Sequence, residues 1–281
     1  MHVKIYDMKI KEILEYGKNN LIKKDGYMLS KMLLKYLLNV DNSYLIINNA
    51  EQLNHEVEES FKEGIKLLNE GIPLQYITNN QEFMKMNFYV DSNVLIPQPD
   101  TEILVEEVLN IIGEESKNIL DLCTGSGAIG ISLVKYTKSI ATMTDISNNA
   151  LDIAKKNSKD NRVSEKCKFI LSDMFERIQD KFDIIVSNPP YIKTEVIKKL
   201  DKEVKNEPNL ALDGGKDGLK FYKIIAENAY KYLKPKGILA LEIGYDQKEE
   251  VIDLLKGTNK YENIYSKKDL AGNDRVIIAR I

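Results

Sequence analysis

ILDLCTGSGAIG, residues 119–130, is an apolar strand pattern that runs straight into a glycine-rich turn. Ile119–Leu122 predicts a buried strand, Gly125-Ser126-Gly127 a sharp turn, and Ile129–Tyr136 a helix. Glycines suit such a turn because the backbone must reverse tightly and admit a ligand where a Cβ would collide. The letters GSGAIG satisfy G-x-G-x-x-G, and Asp145 stands at the end of the next predicted strand, 18 residues past Gly127. An acid there can hold two ribose hydroxyls. Nicotinamide dinucleotides and S-adenosylmethionine both carry an adenosine ribose, so this motif leaves the two open. A glycine turn used only for packing, and an Asp145 that only caps a helix, are the plainer readings.

Outward from this turn, strands and helices alternate. Ile140–Thr144, Cys167–Leu171 and Phe182–Ser187 read as strands, with a helix from Ser147 to about Asn157. A helix over Leu219–Leu233, a strand at Gly237–Ile243, a helix over Gln247–Leu255 and strands near Ile264 and Val276–Ala279 complete the pattern. Such alternation predicts an α/β fold, a doubly wound and mostly parallel sheet. Asp173, after the third of these strands, is placed to accept from an adenine amino group, or is a solvated loop residue.

Residues 1 to about 78 read instead as helices. Ile5, Met8, Ile13 and Leu14 fit one helical face; Met28, Met32, Leu33 and Tyr36-Leu37 fit a second; Phe61, Ile65 and Leu68 fit a third. Gly26, Asp41-Asn42 and Gly71-Ile72-Pro73 supply breaks. The run FMKMNFYV at 83–90, then Asp91-Ser92-Asn93, then VLI predicts a hairpin joining the two parts.

FDIIVSNPPYI, residues 182–192, carries the chemistry. A buried strand delivers Asn188-Pro189-Pro190-Tyr191 to the carboxyl edge of the sheet, where ligands bind in this architecture. Two prolines end the ladder and stiffen the loop. A planar amide or aminopurine nitrogen is a poor nucleophile because its lone pair is delocalised. The Asn188 side-chain carbonyl and the Pro189 carbonyl can each accept one hydrogen of a target NH2, which aims the nitrogen and stabilises developing charge. Tyr191 can lie against the flat face of the target. Alignment of this kind supplies about 7–11 kcal/mol in favourable cases. The plainer reading is an Asn-Pro-Pro turn that merely ends a strand.

Bulk properties narrow the class. The 281 residues carry 40 Lys plus Arg against 43 Asp plus Glu, a formal charge of −3 that offers no global attraction to a polyanion. Two cysteines, Cys123 and Cys167, and two histidines, His2 and His55, match no disulfide framework or His/Cys metal pattern. The first twenty residues are broken by charges, and no apolar run approaches the roughly 20 residues of a membrane span. A cytoplasmic, monomeric protein without membrane or metal is expected.

An NPPY loop after such a glycine turn resembles the amino-methyltransferases that act on adenine N6 or glutamine N5. GIPLQYI at 71–77, VLIPQPDTEILVE at 94–106, DLCTGSGAIGISL at 121–133 and EPNLALDGGKDGLKFY at 207–222 are similar to the bacterial peptide chain release factor glutamine methyltransferases, the PrmC/HemK family. EIGYDQ at 242–247 and KDLAGNDRVIIAR at 268–280 fit as well. The resemblance implies a Rossmann-like class I S-adenosylmethionine methyltransferase sheet behind a small N-terminal helical-bundle domain. It implies residues 1–80 as a substrate-docking domain, 81–97 as a hairpin linker and 98–281 as the catalytic domain. The implied substrate is the glutamine of the Gly-Gly-Gln loop of class I peptide chain release factors, methylated on N5, with S-adenosyl-L-homocysteine as the product. Asn188 with Pro189, Pro190 and Tyr191 would bind the target amide, and Asn188 would also border the cofactor. Cys123, Thr124, Gly125, Ser126 and Gly127 would hold its methionine part, Asp145 its ribose, and Asp173 and Met174 would flank its adenine.

Two departures stand out. Gln98 replaces the usual Arg of Pro-Arg-Pro-Asp-Thr-Glu, which removes a fixed fork of donors. Cys123 replaces a common Gly and is expected to fit if its φ is negative. Three rivals remain: an adenine N6 nucleic-acid methyltransferase, a nicotinamide-dependent dehydrogenase that leaves NPPY without work, and a binding module that has lost catalysis. The first must neutralise phosphates, and the net acidic chain is ill suited to that.

Overall fold

Local capping and apolar spacing define the helices of the first part of the chain, in a computed structural model that describes residues 8–22 and 25–281. They are α1 (Ile10–Asn20), α2 (Gly26–Leu38), α3 (Asn42–Ile47), α4 (His55–Glu70) and α5 (Leu74–Thr78). Asp41 and Asn54 cap α3 and α4 by accepting from the Tyr44 and Val57 amides, each at 2.8 Å. Such caps contribute roughly 0.5–2 kcal/mol apiece. Ile13, Leu14, Leu33, Leu34, Phe61, Ile65 and Leu68 form one buried cluster.

Three expectations for this part are corrected or fall outside. Ile5 lies outside the described residues. Met8 precedes α1, and its amide donates to Glu58 Oε2 at 2.9 Å. On α2 the predicted face is wrong in part: Met28, Met32 and Tyr36 are 60%, 45% and 49% exposed, whereas Leu33 of the predicted set is buried, together with Ser30 and Leu34, which were not in it. The segment MLSKMLLKYLL is apolar on almost every side, so spacing alone does not choose a face. Close packing chooses it: Leu33 fits over Gly64 of α4, where a Cβ would come within 2.6 Å of Leu33 Cδ2.

A second compact unit comprises Asn80–Leu200 and Glu207–Ile281, while Asp201–Asn206 belongs with the helical unit. It opens with a hairpin, β1 (Gln81–Phe83) and β2 (Met86–Phe88). The turn is at Met84-Lys85, both in the left-handed region with φ of 50° and 57°, as a two-residue hairpin requires. The expected turn at Asp91-Ser92-Asn93 is present, the Val94 amide donating to the Asp91 carbonyl at 3.1 Å, but it closes no hairpin: the strand expected at 94–96 is corrected to a loop. Neither Met84 nor Lys85 is Gly or Asn, so the apolar run hid the reversal. Phe83, Met86 and Phe88 are buried in the core of the sheet unit, so the hairpin is part of that unit.

Next come α6 (Pro99–Ile112), β3 (Asn118–Leu122), α7 (Ala128–Tyr136), β4 (Ile140–Asp145), α8 (Asn148–Asp160), β5 (Cys167–Leu171) and β6 (Phe182–Ser187). The short helices α9 (Thr194–Ile197), α10 (Lys202–Lys205) and α11 (Asn209–Leu212) precede α12 (Lys220–Tyr232), β7 (Leu233–Glu242), α13 (Lys248–Gly257), β8 (Glu262–Lys268) and β9 (Asp274–Arg280). The sheet has seven strands in the order β5-β4-β3-β6-β7-β9-β8. All pairs from β5 to β7 are parallel, and β9 runs antiparallel to both of its neighbours. Helices cover both faces, which is why β3, β6 and β7 are apolar on both sides.

The chain proceeds from β3 outward to β5, then returns to β6 on the other side of β3. That makes the carboxyl ends of β3 and β6 the switch point of the sheet. Leu122 is in register with both Thr144 and Ser187, so the glycine turn and the NPPY loop leave the sheet side by side.

Candidate active site

The turn after β3 is held by its own strand. Buried Asp121 accepts from the Thr124 hydroxyl at 2.6 Å and from the Gly130 amide at 3.0 Å. Burial pushes its carboxyl up to about 7, and Oδ1 has no partner among the described residues. The Thr124 amide donates to the Thr144 carbonyl at 2.9 Å, which ties the turn to β4. At the end of β4, Asp145 accepts from the Gly125 amide through Oδ2 and from the Ser147 amide through Oδ1, both at 2.9 Å. Each oxygen has a second lone pair, so both can still accept from a ligand hydroxyl. Ser147 caps α8 as expected, accepting from the Ala150 amide at 3.2 Å.

The two turn glycines do different work. Both have positive φ, 55° for Gly125 and 83° for Gly127. A Cβ on Gly125 would meet nothing within 4 Å, because it would enter open space. A Cβ on Gly127 would come within 2.7 Å of Ile131 and 3.1 Å of Ala154. Gly125 therefore leaves open space over the turn, and Gly127 lets two helices approach.

Cys123 departs from expectation. Its φ is +58°, so the condition under which a side chain sits there without strain is not met. Its thiol touches the Met174 thioether at 3.8 Å, and Met174 itself has φ +44°. Ser172 holds the second turn by donating to the Met174 carbonyl at 3.0 Å. Burial pushes the Cys123 thiol well above its usual range and keeps it neutral. A left-handed non-glycine residue costs about 1–2 kcal/mol, and glycine loses roughly 0.5–1 kcal/mol more backbone entropy on folding. Cys123→Gly is expected to raise stability by up to about 1 kcal/mol in urea denaturation. A clear loss of stability would show that the sulfur contact outweighs the strain.

A cavity of about 300 Å³ opens at the switch point. Cys123, Thr124, Gly125, Ser126, Asp145, Asp173, Met174, Asn188 and Pro190 all line it. Gly127, Pro189 and Tyr191 do not. Asn188 is half-buried; its Nδ2 donates to Thr101 Oγ1 at 3.3 Å, and its Oδ1 accepts nothing among the described residues. Pro189 is buried, and its carbonyl likewise accepts no hydrogen bond among the described residues. The Tyr191 ring packs against the core beneath the sheet edge, and its hydroxyl donates to Glu242 Oε1 at 3.4 Å. The stacking face expected of Tyr191 is not turned to the cavity.

Sequence reasoning missed much of the wall. Val94, Leu95, Gln98 and Thr101 come from the segment before and within α6, and Leu210, Ala211 and Phe221 come from the EPNLALDGGKDGLKFY stretch. Gln98 turns its amide onto the Ile96 carbonyl at 3.0 Å. That stretch also braces the NPPY loop: the Ile192 amide donates to the Leu212 carbonyl at 3.0 Å, and the Gly214 amide to the Ile192 carbonyl at 2.8 Å. A Cβ on Gly214 would lie 2.7 Å from Tyr191 Cα. The buried Gln247 side chain donates to the Tyr191 carbonyl at 3.0 Å and the Gly218 carbonyl at 3.2 Å, and accepts from the Gly244 amide at 3.0 Å.

Two family profiles match the chain: the PrmC N-terminal domain over residues 12–78 and the methyltransferase small domain over 97–213. A release factor glutamine methyltransferase of Clostridium acetobutylicum is 42% identical over 256 residues, covering 89% of this chain and 90% of the relative. Its counterpart in Aquifex aeolicus is 37% identical over 280 residues, covering 99% and 97%. The chain belongs to the release factor glutamine methyltransferase family. A methyltransferase from Pyrococcus furiosus superposes on this family member with a TM-score of 0.53 at 19% identity, over 70% of this chain and 90% of the other. The T. thermophilus 16S rRNA N2 G1207 methyltransferase, solved with AdoMet and guanosine, gives 0.52 at 19% identity, over 72% and 49%. At that identity the likeness is one of fold: a class I methyltransferase sheet, here behind the helical N-terminal domain of the release factor glutamine methyltransferase family.

Proposed function

We propose that this chain transfers the methyl group of S-adenosylmethionine to N5 of the glutamine in the Gly-Gly-Gln motif of class I peptide chain release factors. The observation that carries the reading is Asn188: it lines the cavity at the tip of β6, with Nδ2 engaged and Oδ1 without a partner among the described residues. An acceptor so placed suits one hydrogen of a carboxamide NH2, and the Pro189 carbonyl, which accepts no hydrogen bond among the described residues, suits the other once the target reaches past the cavity lining to it. Accepting both hydrogens aims the nitrogen and stabilises the positive charge it develops. The chain's contribution is alignment within a walled cavity, and S-adenosylmethionine, when bound, supplies the electrophilic methyl group.

The residues present fit that cofactor. Gly125 leaves open space, Asp145 keeps a lone pair on each oxygen for the ribose hydroxyls, and Asp173 and Met174 border the same cavity. Thr124 and Ser126, with Cys123, complete the turn beside it. S-adenosyl-L-homocysteine is the product on this reading. Residues 1–80 grip the release factor and 98–281 carry the reaction, in the cytoplasm and as a monomer. Among the described residues no helix is long and apolar enough to cross a membrane.

Labelled S-adenosylmethionine tests the proposal. The full chain should label a purified class I release factor and leave unlabelled the same factor with its Gly-Gly-Gln glutamine changed to Ala. Label on DNA or RNA with none on the factor would replace this reading with the adenine N6 alternative.

A further inference from the structure

The segment Ile96-Pro97-Gln98-Pro99 cannot be held by a regular ladder, because its two prolines have no N–H. It nevertheless forms part of the cavity wall, which Leu95, Pro97 and Gln98 line. A buried amide in such a segment needs an acceptor. The Ile96 amide finds one 111 residues away. It donates to Glu207 Oε2 at 2.9 Å, with Ile96 5% and Glu207 9% exposed.

Glu207 opens a short tie between two parts of the site. The chain re-enters the sheet unit at this residue, after Asp201–Asn206. Pro208, Leu210 and Ala211 also line the cavity. The Ala211 amide donates to the Pro208 carbonyl at 2.8 Å and the Asp213 amide to the Asn209 carbonyl at 3.0 Å, which closes the tie into the turn of α11. At its far end the Leu212 carbonyl accepts from the Ile192 amide at 3.0 Å. Residues 207–212 are therefore bonded at one end to the segment that leads into α6, and at the other to the loop that carries Asn188.

This clasp asks residue 207 for reach and an acceptor, not for charge. Burial raises its carboxyl to about 7, and the neutral acid and the carboxylate can both accept an amide hydrogen. Oε1 has no hydrogen-bond partner among the described residues, so an amide nitrogen in its place breaks no bond.

We propose that Glu207 is a positioning residue for methyl transfer: by holding Ile96 it fixes the gap between the 94–98 wall and the NPPY loop, where the target side chain is aligned. The role, which rests on the reaction proposed above, is exerted through Ile96, because Glu207 itself does not line the cavity. A displacement of about 1 Å in such a seat can cost about a hundredfold in rate.

Backbone amide exchange followed by NMR reads the clasp on the full chain. Glu207→Asp keeps the carboxyl but withdraws it by one methylene. Glu207→Gln keeps the reach without the charge, and Glu207→Leu removes the acceptor. The Ile96 amide should exchange about tenfold faster in Glu207→Asp and Glu207→Leu, and within about twofold of wild type in Glu207→Gln. The Gly125 amide, on the other turn, should keep its rate in all three, which marks the change as local.

Methyl transfer to a purified class I release factor is the second readout. Glu207→Asp and Glu207→Leu should each lower kcat roughly tenfold, with the Kd for S-adenosyl-L-homocysteine changed less than about twofold, and Glu207→Gln should restore the rate. If Glu207→Leu fails to fold, the Asp and Gln variants decide alone. Three results would each overturn the assignment: unaltered Ile96 exchange in Glu207→Asp, quickened exchange with unaltered kcat, or a Gln variant as slow as the Asp variant. If wild type labels no release factor, the proposed substrate is wrong, and Ile96 exchange still decides whether Glu207 holds the wall.

Discussion

Asn188→Ala is expected to slow methyl transfer about a hundredfold to a thousandfold while leaving affinity for S-adenosyl-L-homocysteine within about twofold. On the proposed reading the side chain supplies the acceptor for one hydrogen of the target, and its Oδ1 accepts nothing among the described residues. Losing a positioned group that acts on developing charge is costly because nothing else in a walled cavity replaces it. The backbone of the NPPY loop should not move, since its braces from Leu212, Gly214 and Gln247 are independent of the Asn188 side chain. Single-turnover transfer to a release factor and calorimetry with S-adenosyl-L-homocysteine would check both halves. A variant that keeps its rate would remove Asn188 from the reaction.

Asp145→Ala should show the converse. On the proposed reading its carboxylate accepts two ribose hydroxyls, and hydrogen bonds to a charged group are worth about 1.5–3 kcal/mol each. The Kd for S-adenosyl-L-homocysteine should therefore rise by at least about a hundredfold, equivalent to about 2.7 kcal/mol, and saturating cofactor should recover most of the rate. Asp145 also receives the Gly125 and Ser147 amides, so thermal stability should fall as well. An unchanged Kd would place the ribose elsewhere. The two variants thus separate alignment of the target from retention of the cofactor.

The sheet was the legible part of the sequence. Cys167–Leu171 and Phe182–Ser187 have the expected limits: the central strand is largely apolar because it is buried, the edge strand sets part-buried Phe169 and Ile170 between exposed Lys168 and Leu171, and each ends where a polar loop begins. The glycine turn and the NPPY loop were legible for a related reason: each breaks such a strand abruptly, at the end where ligands bind. What escaped depends on neighbours distant in sequence. Met28 and Leu33 are both apolar residues on α2, and only the fit against Gly64 decides which is buried. The φ of Cys123 follows from a turn that must bring the Thr124 amide to β4 and the Thr124 hydroxyl back to Asp121 at once. Tyr191 reads as a stacking platform until Glu242, 51 residues later, is seen to hold its hydroxyl.

Gln247 has a consequence for how this scaffold can change. Through one buried side chain it satisfies backbone groups of Tyr191, Gly218 and Gly244, which belong to three separate loops. Reshaping any one of them strands a polar group in the others, so the ledge beneath the target is effectively frozen against gradual drift. Leu210 and Phe221 border the same cavity with apolar side chains that answer to no such bond. A chain adapting to a bulkier or smaller target would have to do so there, at the wall, where a substitution alters volume and strands nothing.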